Sequence, residues 1–125
     1  MKFDSIPSGG CDPHKRYVAH VLRSAFKSLL GESGLTVLEF HLRKRLQGDI
    51  YEVFYENPHG FYQALGDFLG PGVDAILRII AQKLIESGHL EASSPREFVE
   101  VLKNPGEGGR RMLWKMFKRR EAGDT

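Results

Sequence analysis

Residues 57–88 read NPHGFYQALGDFLGPGVDAILRIIAQKLIESG, two helices set off by three breaks. Asn57 can accept a hydrogen bond from the first free amides of a helix, and Pro58 occupies the first helical position, where its missing N–H costs nothing. Phe61, Ala64, Leu65 and Phe68 then recur at i, i+3, i+4 and i+7, the stripe of a helix with one buried face. Gly70-Pro71-Gly72 stops that helix. The next one, about 73–87, is the most apolar in the chain. Its core ridge is Val73, Ile76, Leu77, Ile80 and Leu84, and its polar row is Asp74, Arg78, Gln82 and Glu86. Asp74 and Arg78 are ordered for an i,i+4 pair. This helix is expected at the centre of the fold.

The same punctuation extends in both directions. Upstream, Asp12-Pro13 opens a helix with Val18, Leu22, Ala25 and Leu29 on one face and Gly31 as its stop. Leu35, Leu38, Leu42 and Leu46 stripe a second helix ended by Gly48. Val37 and Phe40 lie off that stripe, which predicts cover on two sides. Asp49 to Glu52 form a capping box for a short helix before Pro58. Downstream, Ser94 to Glu97 form another, opening a helix through Lys103. Asn104 to Gly109 read as a hinge, and a last helix follows over about 110–120. No alternating β pattern and no internal repeat is present. The expected fold is all-α: a compact bundle of five to six short helices over residues 12–103, a flexible tail at 1–11, and a basic C-terminal helix after the hinge in 104–125.

Composition sets the bounds. The chain has 125 residues, 41% hydrophobic and 27% charged, which suits one globular domain. Cys11 is the only cysteine, so neither an internal disulfide nor a multi-cysteine metal site can form. The N-terminal stretch has no apolar signal core and the longest apolar run, 75–85, is interrupted by charges, so a cytoplasmic protein is expected.

Glu56-Asn57-Pro58, Phe61, Ala64-Leu65, Phe68, Gly70, Gly72, Ile76 and the Ile79-Ile80 run, with the upstream 42–50 segment, resemble a small archaeal helical domain, the Nitrosopumilus output-domain family. The resemblance spans about residues 14–87. It implies a helical signalling-output domain with no established activity and no catalytic residues. The segments after Ser87 are extra to it.

Charge is the sharpest functional feature. Residues 1–103 carry 12 Lys/Arg and 13 Asp/Glu, whereas 104–125 carry six (Arg110, Arg111, Lys115, Lys118, Arg119, Arg120) against three acids. On the last helix Met112, Leu113, Met116 and Phe117 share one side and Arg111, Lys115, Lys118 and Arg119 the other. Such a helix either docks its apolar side and solvates its charges, or binds nucleic-acid phosphates or an acidic partner; a membrane surface is disfavoured. Trp114, between the two sides, is a candidate for base stacking or anchoring, against simple packing at a helix end. Arg43, Lys44 and Arg45 form a second basic cluster, which reads as a solvated rim unless the last helix folds beside it. Tyr51, Tyr55 and Tyr62 cannot all point inward from two short helices, so some are candidates for a partner or dimer surface, with core packing favoured for any one of them.

Enzyme readings fall away. Ser24 and Lys27 match an S-x-x-K string without its companion elements. The five histidines include no i,i+4 pair and no ligand-spaced Cys or Glu. No catalytic residues, cofactor or metal are expected. The sequence therefore supports a self-associating (homodimeric) or protein-binding module, with nucleic-acid binding through the basic C-terminal helix as the alternative.

Overall fold

The computed structural model describes residues 13–117, and within them the protein is an all-α bundle. Asp12, Cys11 and the expected tail at 1–11, and Lys118, Arg119 and Arg120 at the other end, lie outside the described residues. The elements are α1 (Pro13–Arg45), α2 (Ile50–Glu56), α3 (Pro58–Leu69), a 3-10 turn (Gly70–Gly72), α4 (Val73–Glu86), α5 (Pro95–Lys103) and α6 (Glu107–Met116). The one β pairing among the described residues is an isolated bridge between Leu90 and Phe117.

Gly31 stops a helix, as expected, but no loop follows. It takes φ 80°, ψ 172°, a conformation that favours glycine, and the chain re-enters a helix at once. α1 is therefore two arms, 13–30 and 32–45, joined by a kink. Arg23 and Glu39 sit 16 residues apart, about 24 Å along a straight helix. They meet at 3.0 Å, so the arms fold toward each other.

The Asn57 side chain accepts from the Gly60 N–H at 3.1 Å with Pro58 behind it, as the cap signal predicts, and Asp49 caps α2 by accepting from the Tyr51 N–H. The second capping box is built differently. The Ser94 side chain makes no cap bond, and Glu97 instead reaches Ser93, accepting from its N–H at 2.8 Å and its hydroxyl at 2.9 Å. These bonds, the backbone one foremost, hold the Glu97 carboxyl below the ordinary range.

The core centre is aromatic. Phe54 of α2 packs on Phe61 of α3 (ring centroids 5.1 Å apart), on Phe98 of α5 (6.3 Å) and on Phe117, just past α6 (6.1 Å). All four are buried, each contributing about 1.5–3 kcal/mol. α4 is a flank, not the expected centre: Leu77, Ile80, Ala81 and Leu84 face inward while Ala75, Arg78, Ile79 and Gln82 are exposed. Asp74 on α4 is held by Lys103 of α5 at 2.8 Å and by the Tyr62 hydroxyl of α3 at 2.7 Å.

α6 belongs to this same core. Leu113, Met116 and Phe117 are buried in it, and the helix packs on α5, α3 and α2. It starts at Glu107, inside the expected hinge. A side chain at Gly109 would collide with the Asn104 carbonyl and crowd that of Val101, so this glycine serves close packing against α5. The helix expected to reach residue 120 ends at Met116, because Phe117 turns extended to bridge Leu90 and send its ring inward.

Candidate functional site

The 32–45 arm of α1 has two apolar stripes, and only one is covered. Leu35, Leu38 and Leu42 are buried. Val37 and Phe40, expected to be covered from a second side, are 49% and 54% exposed. With His41 and Lys44 they follow i, i+3, i+4, i+7, one continuous outer face. Phe68, expected in the core stripe of α3, is 37% exposed and stacks on His41 with centroids 4.5 Å apart and planes 22° from parallel. Phe40 meets His41 edge-on at 5.7 Å, and the Lys44 ammonium lies 4.7 Å from the Phe40 ring centre. An Arg45–Asp67 ion pair ties α1 to α3 beside them. The result is an apolar surface shared by two helices and edged with charge. Its sequence signal was the off-stripe position of Val37 and Phe40.

Most of the candidate basic residues among those described take local acidic partners. Arg110 approaches Glu56 (3.7 Å) and Glu107 (3.5 Å), and Arg111 pairs with Glu107 at 3.2 Å. Lys115 is exposed. Arg43 leans toward Glu39 at 3.8 Å, and Arg45 is taken by Asp67. Among the described residues the two clusters keep separate partners, Arg110 and Arg111 with Glu56 and Glu107 and Arg45 with Asp67, while Lys118, Arg119 and Arg120 lie outside the described residues.

Trp114 is not a free stacking platform. One neighbour is Tyr55, stacked at 4.7 Å and 17°, another is the Arg110 guanidinium, 5.2 Å from the indole, and the indole N–H donates to the Tyr55 carbonyl at 2.8 Å. Tyr51 and Tyr55, candidates for an outer interface, are buried instead. The bundle closes over both sides of short α2: the Tyr51 hydroxyl donates to Glu39 at 2.6 Å, and the Tyr55 hydroxyl lies 2.8 Å from His14 Nδ1. Tyr62 is half-buried and donates to Asp74.

Glu39 is the residue that sequence reading missed. This buried carboxylate accepts from Arg23 at 3.0 Å and from Tyr51, with Arg43 nearby. Burial, reinforced by the hydrogen bond and charge of Glu39, pushes the Tyr51 hydroxyl far above the ordinary tyrosine range. Arg23, Arg43, Asp49 and Tyr51 line a polar pocket of about 490 Å³ there.

A cleft of about 400 Å³ runs between the 13–30 arm and the end of α4, lined by His20, Ser24, Ser28, Lys83, Glu86 and His89 among others. Ser24 opens onto it, while Lys27 pairs with Glu32 at 3.5 Å. The remaining histidines serve the bundle: His14 Nε2 donates to the Phe117 carbonyl, His59 Nδ1 to the Leu102 carbonyl, and His89 bonds the Tyr17 hydroxyl at 2.7 Å. Among the described residues no three His, Cys, Asp or Glu side chains converge as a metal site, and no helix is long and apolar enough to cross a membrane.

No protein-family model matches the chain, and comparison with curated proteins and with solved structures likewise finds no match.

Proposed function

We propose that this protein is a non-enzymatic, cytoplasmic helical interaction module that self-associates through the face formed by Val37, Phe40 and Phe68. One observation carries the reading: three large apolar side chains, two of them aromatic, stand exposed together on α1 and α3 while the rest of the arm's apolar residues are buried. Contiguous apolar surface rimmed by charge marks a contact site, and aromatic residues are enriched at interface cores. A single cysteine fits a reducing interior. The resemblance to the Nitrosopumilus output-domain family belongs to the same proposal. Its supports are the Asn57-Pro58 cap and the Gly70–Gly72 turn, which set the helix carrying Phe68.

Sedimentation velocity of the full chain between micromolar and millimolar concentration tests it. Self-association that Phe40→Ser removes, with the circular-dichroism melt unchanged, supports the reading; a strict monomer throughout overturns it.

The alternative is nucleic-acid binding through the C-terminal basic stretch, favoured by the positive excess beyond residue 103. Its test is binding to a generic duplex and RNA at two salt concentrations, since counterion release makes phosphate binding steeply salt-dependent. Substitutions Arg111→Gln and Lys115→Gln suit this better than truncation, which would strip Leu113, Met116 and Phe117 from the core.

A further inference from the structure

We propose that the occupant of the Val37–Phe40–Phe68 face is a second copy of the chain, its 32–45 arm laid antiparallel on the same arm about a two-fold axis between Val37 and Phe40. The proposal rests on the self-association reading above and adds its geometry.

The spacing of the outer residues is the first argument. Ser33, Val37, Phe40 and Lys44 are separated by four, three and four positions, the repeat with which one helix lays a seam along another. Among them Val37 and Phe40 are the large apolar pair, and they sit midway between Glu32 and Arg45. An axis between them places the Val37 of each copy against the Phe40 of the other.

Charge is the second argument, and it selects the antiparallel sense. The arm is acidic at its start, with Glu32 82% exposed in its side chain, and basic at its end, with Arg43, Lys44 and Arg45. A parallel pair would set Lys44 against Lys44. An antiparallel pair brings Glu32, on the flank of the seam, level with Lys44 of the other copy. Arg45 is already engaged by Asp67, so Lys44 is the cation of the cross-copy pair, and Glu32, 82% exposed, would exchange its 3.5 Å contact with Lys27 for it. Helix dipoles also oppose in this arrangement. Phe68, stacked on His41, is carried toward the Thr36–Val37 end of the second copy and widens the apolar contact onto α3.

Size sets the expected strength. The arm is about 21 Å long, so a contact of one arm and the end of α3 falls below a standard interface of about 800 Å² per partner. The dimer should therefore dissociate on dilution through the micromolar range.

The experiment is a charge swap read by sedimentation equilibrium on the full chain: wild type, Glu32→Lys, Lys44→Glu, the double variant, and Phe40→Ser. Both charged positions are exposed, and melting curves confirm that each variant folds. Each single reversal should weaken the dimer about tenfold, because each disturbs two symmetry-related pairs worth up to about 1 kcal/mol apiece. The double variant should recover most of that loss. If Phe40→Ser abolishes the dimer but the double variant is as weak as the sum of the singles, the antiparallel register is wrong while the face stands. If wild type dimerises and Phe40→Ser changes nothing, both this geometry and the face are overturned.

Discussion

Two clusters in this fold are made from the same three groups, a tyrosine hydroxyl, a carboxylate and a basic side chain. Tyr51, Glu39 and Arg23 join α2 to the two arms of α1, while Tyr62, Asp74 and Lys103 join α3, α4 and α5. Their geometry is nearly the same: hydroxyl to carboxylate 2.6 and 2.7 Å, carboxylate to cation 3.0 and 2.8 Å. Their surroundings differ. The Glu39 side chain is 11% exposed and that of Asp74 30%. Water can replace the partners of Asp74 when they are lost, but has little access to Glu39. Equal hydrogen bonds should therefore have unequal consequences.

Glu39→Ala should have the largest effect, because it leaves the buried Tyr51 hydroxyl without an acceptor and removes the tie between the α1 arms. Orphaning that buried hydroxyl costs about 2–3 kcal/mol, while the Arg23 guanidinium, 53% exposed, is taken up by water. Thermal unfolding should fall by roughly 10 °C for a domain of this size. A fall no larger than that of Asp74→Ala would end the distinction between the clusters.

Tyr51→Phe comes next at about 1–1.5 kcal/mol in urea unfolding, against a smaller loss for Tyr62→Phe. An alkaline titration sharpens this pair. Both hydroxyls are raised above the ordinary tyrosine value, chiefly by burial and then by their carboxylate partners. A folded value above the unfolded one means stability fully present below about pH 10 and lost as pH rises beyond it. Tyr51→Phe should flatten that loss more than Tyr62→Phe does, because burial shifts Tyr51 further.

The contrast also marks what was legible in the sequence. Most stops and caps were, since they depend on neighbouring residues: Gly31, Asn57-Pro58 and Gly70 act where a local rule places them, and only the Ser94 cap gave way, to Ser93. Glu39 was not, because its importance depends on Arg23 and Tyr51, 16 and 12 residues away, and helical spacing alone makes it one more charged residue. For the same reason a helical wheel separates the faces of the 32–45 arm without saying which is covered. It left Val37 and Phe40 to be covered, which packing reverses, and left Tyr51 and Tyr55 open between core and surface, which packing settles for the core. Trp114 lost its role as a free platform through Tyr55, which lies 59 residues earlier in the chain.

The smallest expected effect lies in the exposed cluster and concerns acid. The Lys103 hydrogen bond, followed by that of Tyr62, holds the Asp74 carboxyl below the ordinary range, and Asp74 in turn raises the Lys103 ammonium. A folded value below the unfolded one means stability present above about pH 4 and lost as pH falls through the folded value. The carboxylate is partly solvated, so Asp74→Asn should cost only about 0.5 kcal/mol at neutral pH. The difference from wild type should shrink in 1 M salt, where charges are screened over about 3 Å, and vanish by about pH 2. A salt-insensitive loss of several kcal/mol would mean that Asp74 is as enclosed as Glu39. The α3–α4–α5 contact would then be held by a buried polar centre, like the fold between the arms of α1.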